Sequence, residues 1–188
     1  GENRFIPMQD GHEHALDLCH QVEDFNNGLM IDGSAHEPLG KTFSYGVAGY
    51  PEKHEEAMNM DIDIEYLKAK INAGAKYVVT QMFFDNQKYF NFVKRCRDAG
   101  ITVPIIPGIK PLTSLTQQSL LPKTFHIDLP MDLADALRKC KSNDEVKALG
   151  VEWAIGQARE LKAANVPSIH FYSMNAAAGV EAIAKAVY

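Results

Sequence analysis

Four short stretches of the 188-residue chain bring together side chains able to do chemistry. They are Tyr50-Pro51-Glu52-Lys53-His54, Gln81 to Asp85, Lys110-Pro111, and Tyr172 to Asn175. Each follows or ends a β-type run. Gln81 is the sharpest anomaly: it closes a run of β-branched and aromatic residues, where a primary amide must find hydrogen bonds or cost stability. Tyr50 and His54 offer an aromatic ring and an imidazole just past a strand end, able to pack on a cofactor or donate to a pyrophosphate; local loop packing explains them equally simply. His12-Glu13-His14 with Cys19-His20 offers zinc-type ligands. Their spacing suits a metal poorly, because helical neighbours lie three or four apart, and a solvated helix start is the plainer reading. There is no G-x-G-x-x-G, G-x-x-x-x-G-K-[ST], G-x-S-x-G or C-x-x-C, so a dinucleotide fingerprint, a P-loop and a nucleophile elbow are all unsupported.

The elements that must position these residues alternate between β-type runs and helical periods, the pattern of an α/β protein with a parallel sheet. Four strands are expected at 43–48, 77–83, 103–108 and 168–173. Helices are expected at about 12–26, 60–73, 86–99, 113–121, 131–141, 143–164 and 176–187. In the first, Ala15, Leu18, Cys19, Val22 and Phe25 share a face, and Asn26-Asn27-Gly28 ends it. Gly74 suits a left-handed C′ position after the second helix, Asp85 reads as an N-cap of the third, and Ser142 with Glu145 reads as a capping box. Phe83, Phe84, Trp153 and the Met58/Met60 pair read as core or helix-packing residues. His126 and His170 have no partner that sequence identifies.

Composition bounds the partners. The chain is 46% hydrophobic and 23% charged with a net charge of -5, one ordinary domain over residues 1–188. It lacks the basic stripe a nucleic-acid binder needs, and no apolar run is long enough to span a membrane. Three widely separated cysteines, Cys19, Cys96 and Cys140, suit free thiols in a cytoplasmic setting.

Four stretches in order carry a family resemblance: Gly46-Val47-Ala48-Gly49-Tyr50-Pro51-Glu52-Lys53-His54; Ala73-Gly74-Ala75 leading into Thr80-Gln81-Met82-Phe83-Phe84-Asp85; Pro107-Gly108-Ile109; and Ile169-His170-Phe171-Tyr172. From about residue 12 to the C-terminus the sequence resembles the methylenetetrahydrofolate reductase family. The resemblance implies a (β/α)8 TIM barrel that binds FAD and reduces 5,10-methylenetetrahydrofolate to 5-methyltetrahydrofolate with NAD(P)H, by ping-pong hydride transfer, within one-carbon metabolism and methionine biosynthesis. A complete barrel takes about 250 residues. The chain therefore resembles the second half of that barrel, about four βα units, with the N-terminal strands and the family's catalytic acid glutamate upstream. No catalytic residue is expected in this chain and a homo-oligomer is expected. The rival readings are a truncated, non-catalytic half-barrel that only binds or assembles, and a metal-dependent barrel enzyme built around His12, His14 and His20.

Carried over residue by residue, the resemblance implies flavin contacts at Ala15, Tyr50, His54, Ala57, Asp63 and Lys70, with no metal. Asp63, Tyr66 and Lys70 share one helical face; a stripe of this kind is ordinarily solvated, and the resemblance favours Asp63 toward a ribose or adenine and Lys70 toward phosphate. It further implies that Gln81 contacts both pterin and nicotinamide and that Gln117 lies on the folate side, although a one-residue shift would exchange it with Gln118. Tyr172 matches an active-site aromatic, or else a core tyrosine. Three departures stand out: Tyr66 in place of a polar amide, Ala69 in place of an arginine, and Ala176 in place of the arginine expected near the folate glutamate tail.

Overall fold

The computed structural model describes residues 6–9, 11–38, 40–174 and 177–188. Eleven elements alternate along it: α1 (Ala15–Asn26), β1 (Gly46–Gly49), α2 (Met60–Asn72), β2 (Tyr77–Met82), α3 (Asn86–Asp98), β3 (Ile105–Ile109), α4 (Gln117–Phe125), α5 (Met131–Lys139), α6 (Asn143–Ala163), β4 (His170–Phe171) and α7 (Ala177–Val187). The strands form one parallel sheet in the order β1-β2-β3-β4. The α/β class and the four expected strands are thus present.

Helices cover one face of this sheet. Val78, Ile105 and Ile109 enter a core with Ile64 and Leu67 of α2, Phe92 and Cys96 of α3, Ala158 and Leu161 of α6, and Ile183 of α7. Alternation sends Ala48, Val79 and Ile106 to the other face, where they are exposed or half-buried. A second core, with Met82, Phe84, Leu112, Leu121, Leu133 and Val146, lies around the carboxyl ends of the strands.

Several boundaries differ from the sequence expectation for visible reasons. The first strand starts at Gly46 rather than at residue 43, because the buried Asn26 amide takes both Phe43 backbone groups: Phe43 N–H donates to Oδ1 at 2.7 Å and Nδ2 donates to the Phe43 carbonyl at 3.2 Å. The fourth helix begins at Gln117 rather than 113, since the Gln117 side chain folds back on Thr113, and it continues past Pro122 to Phe125. The last strand shortens to His170–Phe171. Leu18 does not join the buried face of α1; it is 52% exposed, and Cys19 and Asn26 are the buried residues. Met58 is likewise exposed, whereas Met60 packs on the core.

The expected caps form. Asp85 accepts the Gln87 N–H at 2.8 Å, and Gly74 takes φ +132° just past α2, a backbone conformation that glycine tolerates. Ser142 Oγ accepts the Glu145 N–H, but the Glu145 carboxylate answers to Lys141 N–H at 2.6 Å instead of to Ser142, so the box is offset by one residue.

Candidate functional site

The loop after β1 is built by Lys53. Its backbone lies in the left-handed region at φ +77°, and its ammonium donates to the carbonyls of His54 (2.7 Å), Ala57 (2.7 Å) and Glu55 (3.4 Å). Collecting three carbonyls on one amine curls residues 53–57 tightly. Tyr50 and His54 then meet edge to face, ring centroids 4.6 Å apart. Glu56 N–H donates to His54 Nδ1 at 3.2 Å, so the neutral ring carries its proton on Nε2 and can donate from there.

Asp63 anchors this loop from α2. Its carboxylate accepts the His54 backbone N–H at 3.0 Å and is itself buried. Lys70, two turns further along α2, reaches the Ala48 carbonyl at 3.3 Å, and burial lowers its pKa, with the Asp63 charge opposing that fall. Burial, reinforced by Asp63, raises the Tyr50 pKa. The structure therefore gathers Tyr50, His54, Ala57, Asp63 and Lys70 at the carboxyl end of β1. The solvated stripe is not observed: Asp63 is buried while Tyr66 is 59% exposed. Helix α2 lies against the sheet, so residues 60° apart on its surface differ sharply in cover. Ala15 is exposed in the first turn of α1 and is not among the residues brought together there.

The second group sits across β2, β3 and β4. Between Val79 and Met82 the ladder with β3 slips. Pro107 has no N–H to donate, and the Gly108 N–H goes to Thr80 Oγ1 at 3.0 Å rather than to a carbonyl. A bulge of this kind re-aims side chains, and the residue it carries is Gln81. Gln81 is half-buried, its Oε1 accepts the Met82 N–H at 3.1 Å, and among the described residues its Nε2 has no partner. Tyr172 lies across Gly108, where a Cβ would meet its ring at 2.6 Å, and its hydroxyl donates to the Thr80 carbonyl at 2.9 Å. Burial raises its pKa. His170 packs edge-on against it at 4.6 Å.

Gln117 is committed locally, accepting the Thr113 N–H at 2.7 Å and donating to Thr113 Oγ1 at 3.0 Å, while Gln118 is exposed. Ala176 and Asn175 lie outside the described residues. Among the described residues no three or more His, Cys, Asp or Glu side chains gather as a metal site; His12 instead contacts Gln21 and His14 caps α1. The three cysteines are free, with burial pushing Cys96 up to about 12.

Two residues that the sequence placed only within active stretches have organising roles of their own. Glu52, its side chain buried, accepts the Asp128 N–H at 3.1 Å and lies 3.5 Å from the Lys88 amine, tying the β1 loop to the α4–α5 connection; a Glu55 carboxylate oxygen lies 2.6 Å from His126 Nε2. Lys110 is buried at the end of β3. Two clefts lie elsewhere, of about 500 Å3 beside α1 (His20, Phe25, Met30) and about 560 Å3 beside α6 (Asn86, Trp153, Gln157), and neither touches Tyr50, His54, Gln81 or Tyr172.

The model of the family described as Methylenetetrahydrofolate reductase matches residues 1–188. The chain belongs to the methylenetetrahydrofolate reductase family. It is 39% identical over 153 residues to a Caenorhabditis elegans protein named probable methylenetetrahydrofolate reductase (NADPH), a match covering 80% of this chain and 23% of that one. It is 36% identical over 136 residues to the Escherichia coli 5,10-methylenetetrahydrofolate reductase, covering 72% of this chain and 46% of the other. With Methylenetetrahydrofolate reductase (NADH) 1 of Arabidopsis thaliana the identity is 32% over 185 residues, covering 93% of this chain and 29% of that one. The chain thus spans less than half the length of these relatives. A solved Clostridium thermocellum protein, described as uncharacterized and binding two copies of 5-methyl-5,6,7,8-tetrahydrofolic acid, shares the fold with a TM-score of 0.51 at 23% identity, over 79% of this chain and 54% of that one. No helix among the described residues is long and apolar enough to cross a membrane.

Proposed function

We propose that this chain forms part of the wall of a (β/α)8 barrel, strands five to eight, that reduces 5,10-methylenetetrahydrofolate to 5-methyltetrahydrofolate with NAD(P)H and FAD. Support for the barrel comes from the sheet: four parallel strands in sequential order with helices packed on one face and the other face open, as a barrel wall requires. The observation that carries the chemistry is Gln81, a half-buried amide at a bulge with its Nε2 unmatched among the described residues. It sits at the carboxyl end of a parallel sheet, where such folds hold ligands.

A flavin nucleotide fits the first cluster. His54 Nε2–H and the Lys70 ammonium supply donors for a pyrophosphate, the Tyr50 ring supplies an apolar face, and buried Ala57 and exposed Ala15 present no bulk. Asp63 holds the loop through the His54 N–H; facing a ribose hydroxyl would use its other oxygen. When bound, the flavin carries hydride from the nicotinamide to the folate. Gln81 orients first one ligand and then the other by hydrogen bonding, and Tyr172, held by Thr80, limits where the pterin lies. Gln117 reaches the folate only by releasing Thr113. Glu52, Asp63 and Asp85 already serve structural hydrogen bonds, which favours a proton donor elsewhere in the protein. These 188 residues by themselves are accordingly expected to bind or assemble without turning over. A cytoplasmic homo-oligomer belongs to the same reading.

The test is spectroscopic. The protein as its gene encodes it should purify yellow, bleach with NADH or NADPH without air, and regain colour on adding methylenetetrahydrofolate. A colourless protein that takes up no FAD would overturn the reading.

A further inference from the structure

Among the described residues, Lys110 stands at the carboxyl end of β3 with its charge unanswered by the fold. It is 7% exposed, yet among the described residues no carboxylate lies within 4.0 Å of its amine and no hydrogen bond reaches it. No side-chain nitrogen or oxygen fully sealed from solvent lacks a partner among the described residues, so the tip of Lys110 emerges while its stem is enclosed. Alternation along β3 puts Ile105 and Ile109 in the helix-covered core and Lys110 on the opposite face with Ile106 and Gly108. Register places it beside Tyr172, because Ile109 pairs with Phe171 and the next N–H, that of Tyr172, donates to the Ile109 carbonyl at 2.9 Å. Lys110 therefore stands at the register position beside Tyr172, whose ring lies on Gly108.

Partial withdrawal from water costs an ammonium hydration that no counter-charge here restores, and that withdrawal alone accounts for the lowered pKa of this lysine. Methionine would fill the same space without that cost. We propose that Lys110 is the charge partner of an anionic group on the bound substrate, a carboxylate of the folate or the pyrophosphate of the nicotinamide dinucleotide. This inference rests on the folate reductase reading, but its test also stands apart from it.

The experiment compares wild type with Lys110→Met and Lys110→Gln in the FAD-loaded protein as its gene encodes it. Affinities for 5-methyltetrahydrofolate and for NADH and NADPH are measured by calorimetry, and thermal stability is measured with and without glutarate or inorganic pyrophosphate. The variants should fold at least as stably as wild type. One ligand class should lose roughly 10- to 100-fold in affinity, the range for a charged hydrogen bond, and the class that loses it names the source of the anion. If wild type binds neither folate nor dinucleotide, the reductase reading fails; Lys110 is then judged by whether an anion stabilises wild type and not the variants. Equal behaviour of all three proteins toward every probe overturns the proposal.

Discussion

The Tyr172 hydroxyl donates to the Thr80 backbone carbonyl at 2.9 Å, spanning from the end of β4 across β3 to β2. The contact forms where the ladder between β2 and β3 slips: the Gly108 N–H goes to Thr80 Oγ1, and the Thr80 carbonyl takes the Tyr172 hydroxyl instead. A side chain thus completes hydrogen bonding that the backbone cannot. It also fixes the plane of the ring on the face where the substrate is proposed to lie.

Tyr172→Phe should keep the ring and lose that bond. Leaving the buried Thr80 carbonyl short of a donor should cost about 1 kcal/mol of stability, read by urea denaturation. Loosening the ring should also weaken folate binding. Unchanged stability together with unchanged folate affinity would make Tyr172 a bystander.

Gly108→Ala should be more damaging. An added Cβ would collide with the Thr80 carbonyl oxygen, which is backbone and cannot rotate away, and would stand 2.6 Å from the Tyr172 ring. Overpacking of this kind costs roughly 1–3 kcal/mol or more. A thermal midpoint equal to wild type would mean that Gly108 sits further from Thr80 and Tyr172 than the structure places it.

Periodicity and punctuation made much of the fold legible, and the reason is locality. Gly74, Asp85 and Ser142 act on neighbours within a few residues. The differences arise from distant partners: Asn26 captures Phe43 and delays β1, and Thr80 Oγ1 captures Gly108 N–H and creates the bulge. Tyr50 and His54 were readable as candidates because they follow a strand, and Gln81 because an amide is anomalous in such a run. Lys110 was readable as a charged residue at a strand end, but its enclosed stem and missing counter-charge depend on distant parts of the fold. The Lys53 clasp was equally silent, depending on a positive φ that a lysine rarely adopts.

Glu52 provides a pH test. Burial raises its pKa, with the Asp128 N–H and the Lys88 charge pulling the other way. A carboxyl group whose folded pKa is raised holds its proton more tightly in the folded state. Its contribution to stability therefore falls as pH climbs from the ordinary glutamate range, about 4.3, through the folded value. Glu52→Gln keeps an oxygen for the Asp128 N–H and removes the titration. Denaturation midpoints from pH 4 to 8 should shift progressively in favour of the variant. A difference that stays constant, or grows in favour of wild type, would show that the pairing with Lys88 outweighs burial.

Gln81→Leu tests the proposed chemistry most directly. The replacement keeps similar bulk and removes one donor and one acceptor. Oε1 already accepts the Met82 N–H, so the free functionality is chiefly Nε2, which can hydrogen-bond a pterin or a carboxamide as the amide plane turns. If two ligands use this amide in turn, both half-reactions should suffer by roughly 5- to 150-fold, equivalent to about 1 to 3 kcal/mol each. Flavin content should scarcely change, because the cluster around Tyr50, His54 and Lys70 stands on β1 and α2. Stopped-flow measurement of flavin reduction by NAD(P)H and, separately, of its reoxidation by methylenetetrahydrofolate resolves the two steps. Loss in one step only would restrict Gln81 to one ligand. Normal rates in both, with flavin retained, would leave it a local amide that satisfies Met82 and nothing more.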